Sequence, residues 1–278
     1  HFAAYARTCV DALGDRVKSW MVFNEPAVFT HIAYFSGLIA PGIRDPRLAM
    51  QSSHVVNLAQ GEAMRAMRAT GKIDAVGSAY SMTATYPASD SAEDRAAADR
   101  LHGFSNDWFL RPVMKGEYPR CYIEMDRMLE RMDIRPGDME SMKEPLDFIG
   151  INLYNRAIVA DAPGDRNLGV TMLPLPGPKT QFPSEVHPAA IYRMIMRVSD
   201  EYGRPPIYVT ENGCSYDDGP GADGRVHDQR RVDYLQGYIG QVGRALAEGA
   251  DLRGYYLWSL IDNFEWAFGF SQRFGIIH

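Results

Sequence analysis

The sequence predicts an α/β fold built as a (β/α)8 TIM barrel, and three observations lead there. Short apolar runs alternate with longer helical stretches along the 278 residues. None of the runs shows the strict apolar and polar alternation of a one-sided sheet, so the strands read as buried on both faces, as in a parallel sheet covered by helices. Polar residues stand directly after the runs, at Asn24-Glu25, Asn152, Glu211-Asn212 and Trp258-Ser259. Barrel enzymes assemble their sites from the C-terminal ends of many strands. An open doubly wound sheet concentrates its site near one switch point and usually binds a nucleotide there, yet the chain has no GxxxxGK[ST] phosphate loop.

Taken in order, the chain opens on HFAAYARTCVDALGDRVKSW, an amphipathic helical pattern already under way without an N-cap signal, and closes on the apolar RFGIIH. Strands are expected at Trp20 to Phe23, Ile73 to Tyr80, Phe148 to Asn152, Ile207 to Thr210 and Gly254 to Trp258. Helices are expected at Pro46 to Ala69, Asp94 to Val113, His187 to Tyr202 and Asp228 to Glu248. The last carries Val232, Leu235, Ile239, Val242 and Leu246 at the spacing of one buried stripe. Ala160 to Pro183, rich in Gly and Pro, reads as one long loop over the strand ends, and Arg135 to Pro145 as turn. Five strands cannot close a barrel of eight. Residues 1–278 are therefore expected to form one catalytic domain, truncated at both ends.

Composition narrows the function classes. With 29 Lys+Arg against 35 Asp+Glu the net charge is −6, without the basic excess a phosphate-tracking surface needs, so nucleic acid is excluded as the main partner. Hydrophobic residues at 46% suffice for a buried core. No apolar stretch reaches the roughly 18 residues that would span a bilayer. Cys9, Cys121 and Cys214 are odd in number and scattered, which rules out a disulfide scaffold. A cytoplasmic protein is expected. The histidines form no HExxH or Cys/His cluster, so no metal and no cofactor are expected.

Two carboxyls draw the chemistry. Glu25, in WMVFNEPAVF, precedes Pro26, which disfavours helical backbone at the residue before it and so should hold Glu25 extended at the end of its strand. The plain alternative is a helix-start acid, because proline suits the first helical position. Glu211, in PIYVTENGCSYDD, follows an apolar strand, and Gly213 allows a sharp exit; its plain alternative is a turn residue. Facing carboxyls at strand ends suit hydrolysis of a glycosidic bond. One neutral acid protonates the leaving oxygen and one anion attacks or activates water.

The motifs WMVFNEP, YPAS, NDWFLRPV, DFIGINLYNR, VTENG, VHDQRRVDYL and WSLIDNFEWAFGFSQRFG, in this order, resemble the family 1 glycoside hydrolases, the β-glucosidase family. The resemblance runs over essentially the whole chain. It implies a (β/α)8 barrel of which this chain carries about strands 4 to 8, without strands 1 to 3 and the C-terminal helix. It implies a retaining β-glycosidase acting by double displacement, with Glu25 as general acid/base and Glu211 as nucleophile, roughly 5 to 5.5 Å apart. Asn24 would bond the sugar 2-hydroxyl, Asn152 would face the sugar and Tyr154 would contact the nucleophile. Trp258 would offer a platform, Glu265 would accept from the 4- and 6-hydroxyls, and Trp266 would lie beside them. The Trp258-Ser259 peptide would be cis.

Two positions depart from the family pattern: Ala27 and Ser184 stand where many members have Trp. The family's glycone-binding Gln, its His-Trp pair and an Arg beside the nucleophile belong to the absent strands. A β-glucoside or small oligosaccharide is the expected substrate, with galactosides and fucosides as further candidates. The isolated chain is expected to be nearly inactive unless a complementing segment or second copy completes it. Rival readings are a catalytically silent carbohydrate-binding barrel and a 6-phospho-β-glycosidase, the latter disfavoured because Glu265 would repel a phosphate.

Overall fold

A computed structural model describes all residues, 1–278. Helix α1 (Phe2–Leu13) leads into strand β1 (Ser19–Asn24), followed by a π-helix over Val28–Ser36. Helix α2 (Pro46–Arg68) starts where its neighbours dictate: Asp45 accepts from the backbone N–H of Arg47 and Leu48, and Pro46 occupies the first turn. Strand β2 (Ala75–Pro87) and helix α3 (Ala92–His102) come next. The predicted helix Asp94 to Val113 is continuous but changes pitch. A π-helix over Gly103–Asp107 separates α3 from α4 (Trp108–Lys115). Short helices α5 (Met125–Glu130) and α6 (Asp138–Met142) follow, the second inside the stretch read as turn. Strand β3 (Phe148–Asp161), β4 (Val170–Leu173), α7 (Ala189–Glu201), β5 (Ile207–Asn212), α8 (Gln229–Ala247) and β6 (Leu252–Leu257) complete the chain.

Five strands form one parallel sheet in the order β1-β2-β3-β5-β6. Its edges are β1 and β6, so the sheet is an open part of a barrel wall. Ile149, Ile151, Val209 and Ile207 at its centre are fully buried, as apolar-run strands require.

Three expectations need correction. The supposed loop Ala160 to Pro183 contains β4, which pairs antiparallel with β3 from Ile158↔Leu173 to Asp161↔Val170. Its sequence looks like loop because Gly and Pro flank the short strand on both sides, Pro163, Gly164 and Gly169 in the hairpin turn and Pro174, Pro176, Gly177, Pro178 and Pro183 after it. Within the turn both Asp165 carboxylate oxygens accept, from Asn167 N and Gly169 N, and Gly169 has φ +65°. Of the stripe expected to bury α8, Leu235 and Val242 pack half-buried against the core, but Val232, Ile239 and Leu246 face outward, 44%, 49% and 54% exposed. The buried stripe lies one residue earlier, at Arg231, Tyr234, Tyr238 and Ala245. Arg231 tolerates burial because it donates to the carbonyls of Cys214, Phe274 and Arg273 and pairs with Asp228. Finally, β1 ends at Asn24, so Glu25 lies beyond the strand.

Candidate active site

Neighbouring strands bring their C-terminal ends level. Asn24 of β1 lies opposite Ala79 of β2, Ser81 opposite Asn152 of β3, and Asn152 opposite Glu211 of β5. All three pairings slip register at or next to these residues. On β3 the extra residue is Tyr154, because Met82 faces Leu153 while Thr83 faces Asn155. On β5 it is Thr210, because Ile151 faces Val209 while Asn152 faces Glu211. Such bulges re-aim side chains that regular pleating would send elsewhere. Tyr154 donates its hydroxyl to Glu211 Oε2 at 3.0 Å, and Thr210 donates to Asn152 Oδ1.

Glu25 is not extended. Its φ is +48°, in the left-handed region that costs a residue with a Cβ about 1–2 kcal/mol. Its N–H donates to Ala79 O at 2.9 Å and its carbonyl accepts from Val28 N at 2.9 Å, so one residue closes the sheet and opens the helix after it. Glu25 thus stands at a helix start, as its plain alternative had it, and its side chain also borders the cavity over the strand ends. Asn152 Nδ2 donates to Glu25 Oε1 and to Asn24 Oδ1, each at 3.0 Å.

A cavity of about 530 Å³ opens over these strand ends. Asn24, Glu25, Tyr154, Glu211, Trp258, Glu265 and Trp266 all border it. Asn152 does not, which corrects the expectation that it faces a sugar: it is fully buried and its amide is spent on Glu25, Asn24 and Thr210. The Trp258-Ser259 peptide is cis. Gly213 serves close approach rather than a left-handed turn, since a Cβ there would lie 1.9 Å from the Trp258 carbonyl oxygen. At Ser184 the hydroxyl is buried without a partner, and the loop instead presents Phe182 to the cavity. Phe182 is fixed by its N–H on Ser215 Oγ at 2.8 Å and packs on Phe268 and Phe274. Sequence reasoning missed Phe182 and the apolar wall of Val28, Phe29 and Ile32; the only signal for the latter was an apolar run after Pro26.

Burial and the charge of Glu211 push the Glu25 carboxyl up to about 7, with Glu265 adding to the rise and the Asn152 amide opposing it. Glu211 is also raised by burial, but Tyr154, Asn24 and Asn152 act against that rise. Glu211 therefore ionises first, and burial together with that charge keeps the proton on Glu25. Burial, and then the Glu211 charge, raise Glu265 as well. One neutral acid beside one held anion is an arrangement fit for acid-assisted displacement.

Away from the cavity, His102, Asp107 and Glu201 gather within 4.8 Å of one another. They are ill suited to a metal. Asn106 Oδ1 accepts from Thr83 N, which fixes the amide so that its Nδ2 donates to His102 Nδ1 at 2.8 Å. The imidazole proton then sits on Nε2, the nitrogen that faces both carboxylates at 3.7 Å.

The sequence model described as glycosyl hydrolase family 1 matches residues 1–278. The chain belongs to this family. Within family 1, beta-glucosidase A of Thermotoga maritima is 40% identical over 278 residues, which is 100% of this chain and 62% of that relative. The 1,4-beta-D-glucan glucohydrolase of Thermotoga neapolitana is 38% identical over 286 residues, 100% of this chain and 65% of the relative. The solved family 1 b-glucosidase from Thermotoga maritima superposes with a TM-score of 0.92 at 39% identity, over 99% of this chain and 61% of that one. The sheet described above is thus part of the family's barrel, and the chain spans less than two thirds of the length of these relatives. A 6-phospho-beta-galactosidase of Clostridium acetobutylicum stands further off at 30% identity, over 100% of this chain and 64% of the relative.

Proposed function

We propose that this chain carries the catalytic carboxyls of a retaining β-glycosidase acting on terminal β-D-glucosides. The observation that carries the reading is that two acids in unlike surroundings border one cavity: Glu25, which burial and the Glu211 charge push up to about 7, and Glu211, whose carboxylate accepts from the Tyr154 hydroxyl at 3.0 Å. Glu211 attacks the anomeric carbon while Glu25 donates its proton to the departing oxygen. The resulting glycosyl-enzyme is hydrolysed by a water that Glu25, now ionised, deprotonates. Asn24, Trp258, Glu265 and Trp266 border the same cavity and are the sugar-binding groups of the proposal. Galactosides and fucosides are accepted to the extent that Glu265 tolerates a changed 4- or 6-position.

A silent carbohydrate-binding role gives no reason to keep a buried acid at φ +48°. A 6-phosphoglycoside places a dianion near the Glu265 carboxylate, an unfavourable pairing. The outer edges of β1 and β6 and the exposed apolar residues near them, Met21 and Tyr256, need covering, and a further segment or a second copy of the chain is the proposed cover. The test is mass spectrometry after incubation with an activated 2-deoxy-2-fluoro-β-glucoside, together with NMR of the first-formed product. Label on Glu211 and a β-configured product are expected. Label elsewhere, or an α-configured product, contradicts the proposal.

A further inference from the structure

We propose that Asn106 is a positioning residue for the cavity wall beside Glu25, its carboxamide standing in for a strand on the open edge of β2. Strand β1 ends at Asn24, level with Ala79, whereas β2 continues to Pro87. Past Ala79, this edge has no strand beside it. Along a strand, the backbone N–H and C=O of alternate residues face the same side. Ala79 accepts from Glu25 on that side, so Thr83 presents both of its groups there too. Asn106 meets both: Oδ1 accepts from Thr83 N at 2.8 Å and Nδ2 donates to Thr83 O at 3.0 Å.

The amide is only 2% exposed and is delivered by the π-helix Gly103–Asp107, a wide turn of the kind that recurs at functional sites. Ser81, Met82 and Thr83 border the cavity, and Ser81 and Thr83 turn their backbone groups to the edge of β2 that meets Glu25. Because Glu25 protonates the leaving group, this wall meets the aglycone; that step rests on the glycosidase reading above. Loss of Asn106 leaves two part-buried backbone groups without their protein partner and frees the strand end to shift.

The experiment compares wild-type chain, Asn106→Ala and Asn106→Asp by amide hydrogen exchange and by kcat/KM on two substrates. β-Glucosyl fluoride has a leaving group too small to touch the wall, whereas 4-nitrophenyl β-glucoside fills the aglycone space. In Asn106→Ala, Thr83 should exchange about tenfold faster or more while Ile149 is unchanged, and kcat/KM for the aryl glucoside should fall about tenfold relative to the fluoride. Asn106→Asp keeps the acceptor for Thr83 N–H, so it should hold that amide and lose less discrimination. Unchanged Thr83 exchange, or equal losses on both substrates, overturns the proposal. If the wild-type chain turns over neither substrate, as its open edges predict for residues 1–278 alone, Thr83 exchange decides by itself whether Asn106 clamps the strand: unchanged exchange in Asn106→Ala overturns the proposal.

Discussion

Ionising Glu25 inside the fold works against its burial and against the charge of Glu211, so its raised value near 7 is a statement about stability as well as catalysis. The native state binds this proton more tightly than the unfolded chain. Stability from this group is present below the unfolded value near 4.5 and is lost as pH rises through about 7. We expect Glu25→Gln to be more stable than wild type at pH 8 by on the order of 2 to 3 kcal/mol, with the two converging near pH 4, as measured by urea denaturation. Equal stabilities at pH 8 would contradict the assigned protonation. Tyr154→Phe removes a donor that favours the ionised form of Glu211. The acidic limb of its kcat/KM profile should move to higher pH, and kcat should fall by roughly 10- to 100-fold, the loss of about one charge-assisted hydrogen bond. A profile with an unmoved acidic limb would remove Tyr154 from its role.

At the scale of elements, the loop between β4 and α7 is held by a buried ion pair. Arg156 donates to both Glu185 oxygens, at 2.6 and 3.1 Å, and Glu185 also accepts from Gly177 N at 2.6 Å. Arg156→Met strands a carboxylate that is 1% exposed, at a cost of about 3 to 5 kcal/mol, and should loosen Phe182 from the cavity. The double variant Arg156→Met/Glu185→Leu should recover much of that stability, whereas a loss below about 1 kcal/mol in the single variant would show that the pair does not hold the loop. Elements like this mark where sequence legibility ends. Glu211 and Trp258 were readable because each follows an apolar strand in a specific motif. Asn152 was found but misassigned, because nothing in sequence shows that its amide is already taken by Glu25 and Asn24. The α8 stripe was only half right, because tyrosines and a hydrogen-bonded arginine take the most buried positions while Val232, Ile239 and Leu246 face outward and Leu235 and Val242 pack at the margin of the core. Strand β4 was hidden by the Gly and Pro on both sides of it, and the left-handed Glu25 by a rule about Pro that the sheet overrides.

Across the whole molecule, the sheet remains open at β1 and β6, and apolar side chains at both edges, such as Met21 and Tyr256, stay exposed. A site whose sugar is met from only part of a barrel forgoes binding energy that would otherwise be realised in the transition state. We expect residues 1–278 alone to turn over 4-nitrophenyl β-glucoside at least ~100-fold more slowly than full-length family members, a gap of about 3 kcal/mol. Turnover equal to theirs would show that the open edges do not matter. The central claim, that burial and the ionised Glu211 beside it together keep Glu25 protonated, can be read without any turnover. Carboxyl 13C NMR titration of Glu25 in the wild-type chain and in Glu211→Gln measures it directly. The account predicts a midpoint of about 7 in the wild type, moving to lower pH once the Glu211 charge is removed. A wild-type midpoint near the ordinary value of 4.5, or one that Glu211→Gln leaves in place, would contradict it.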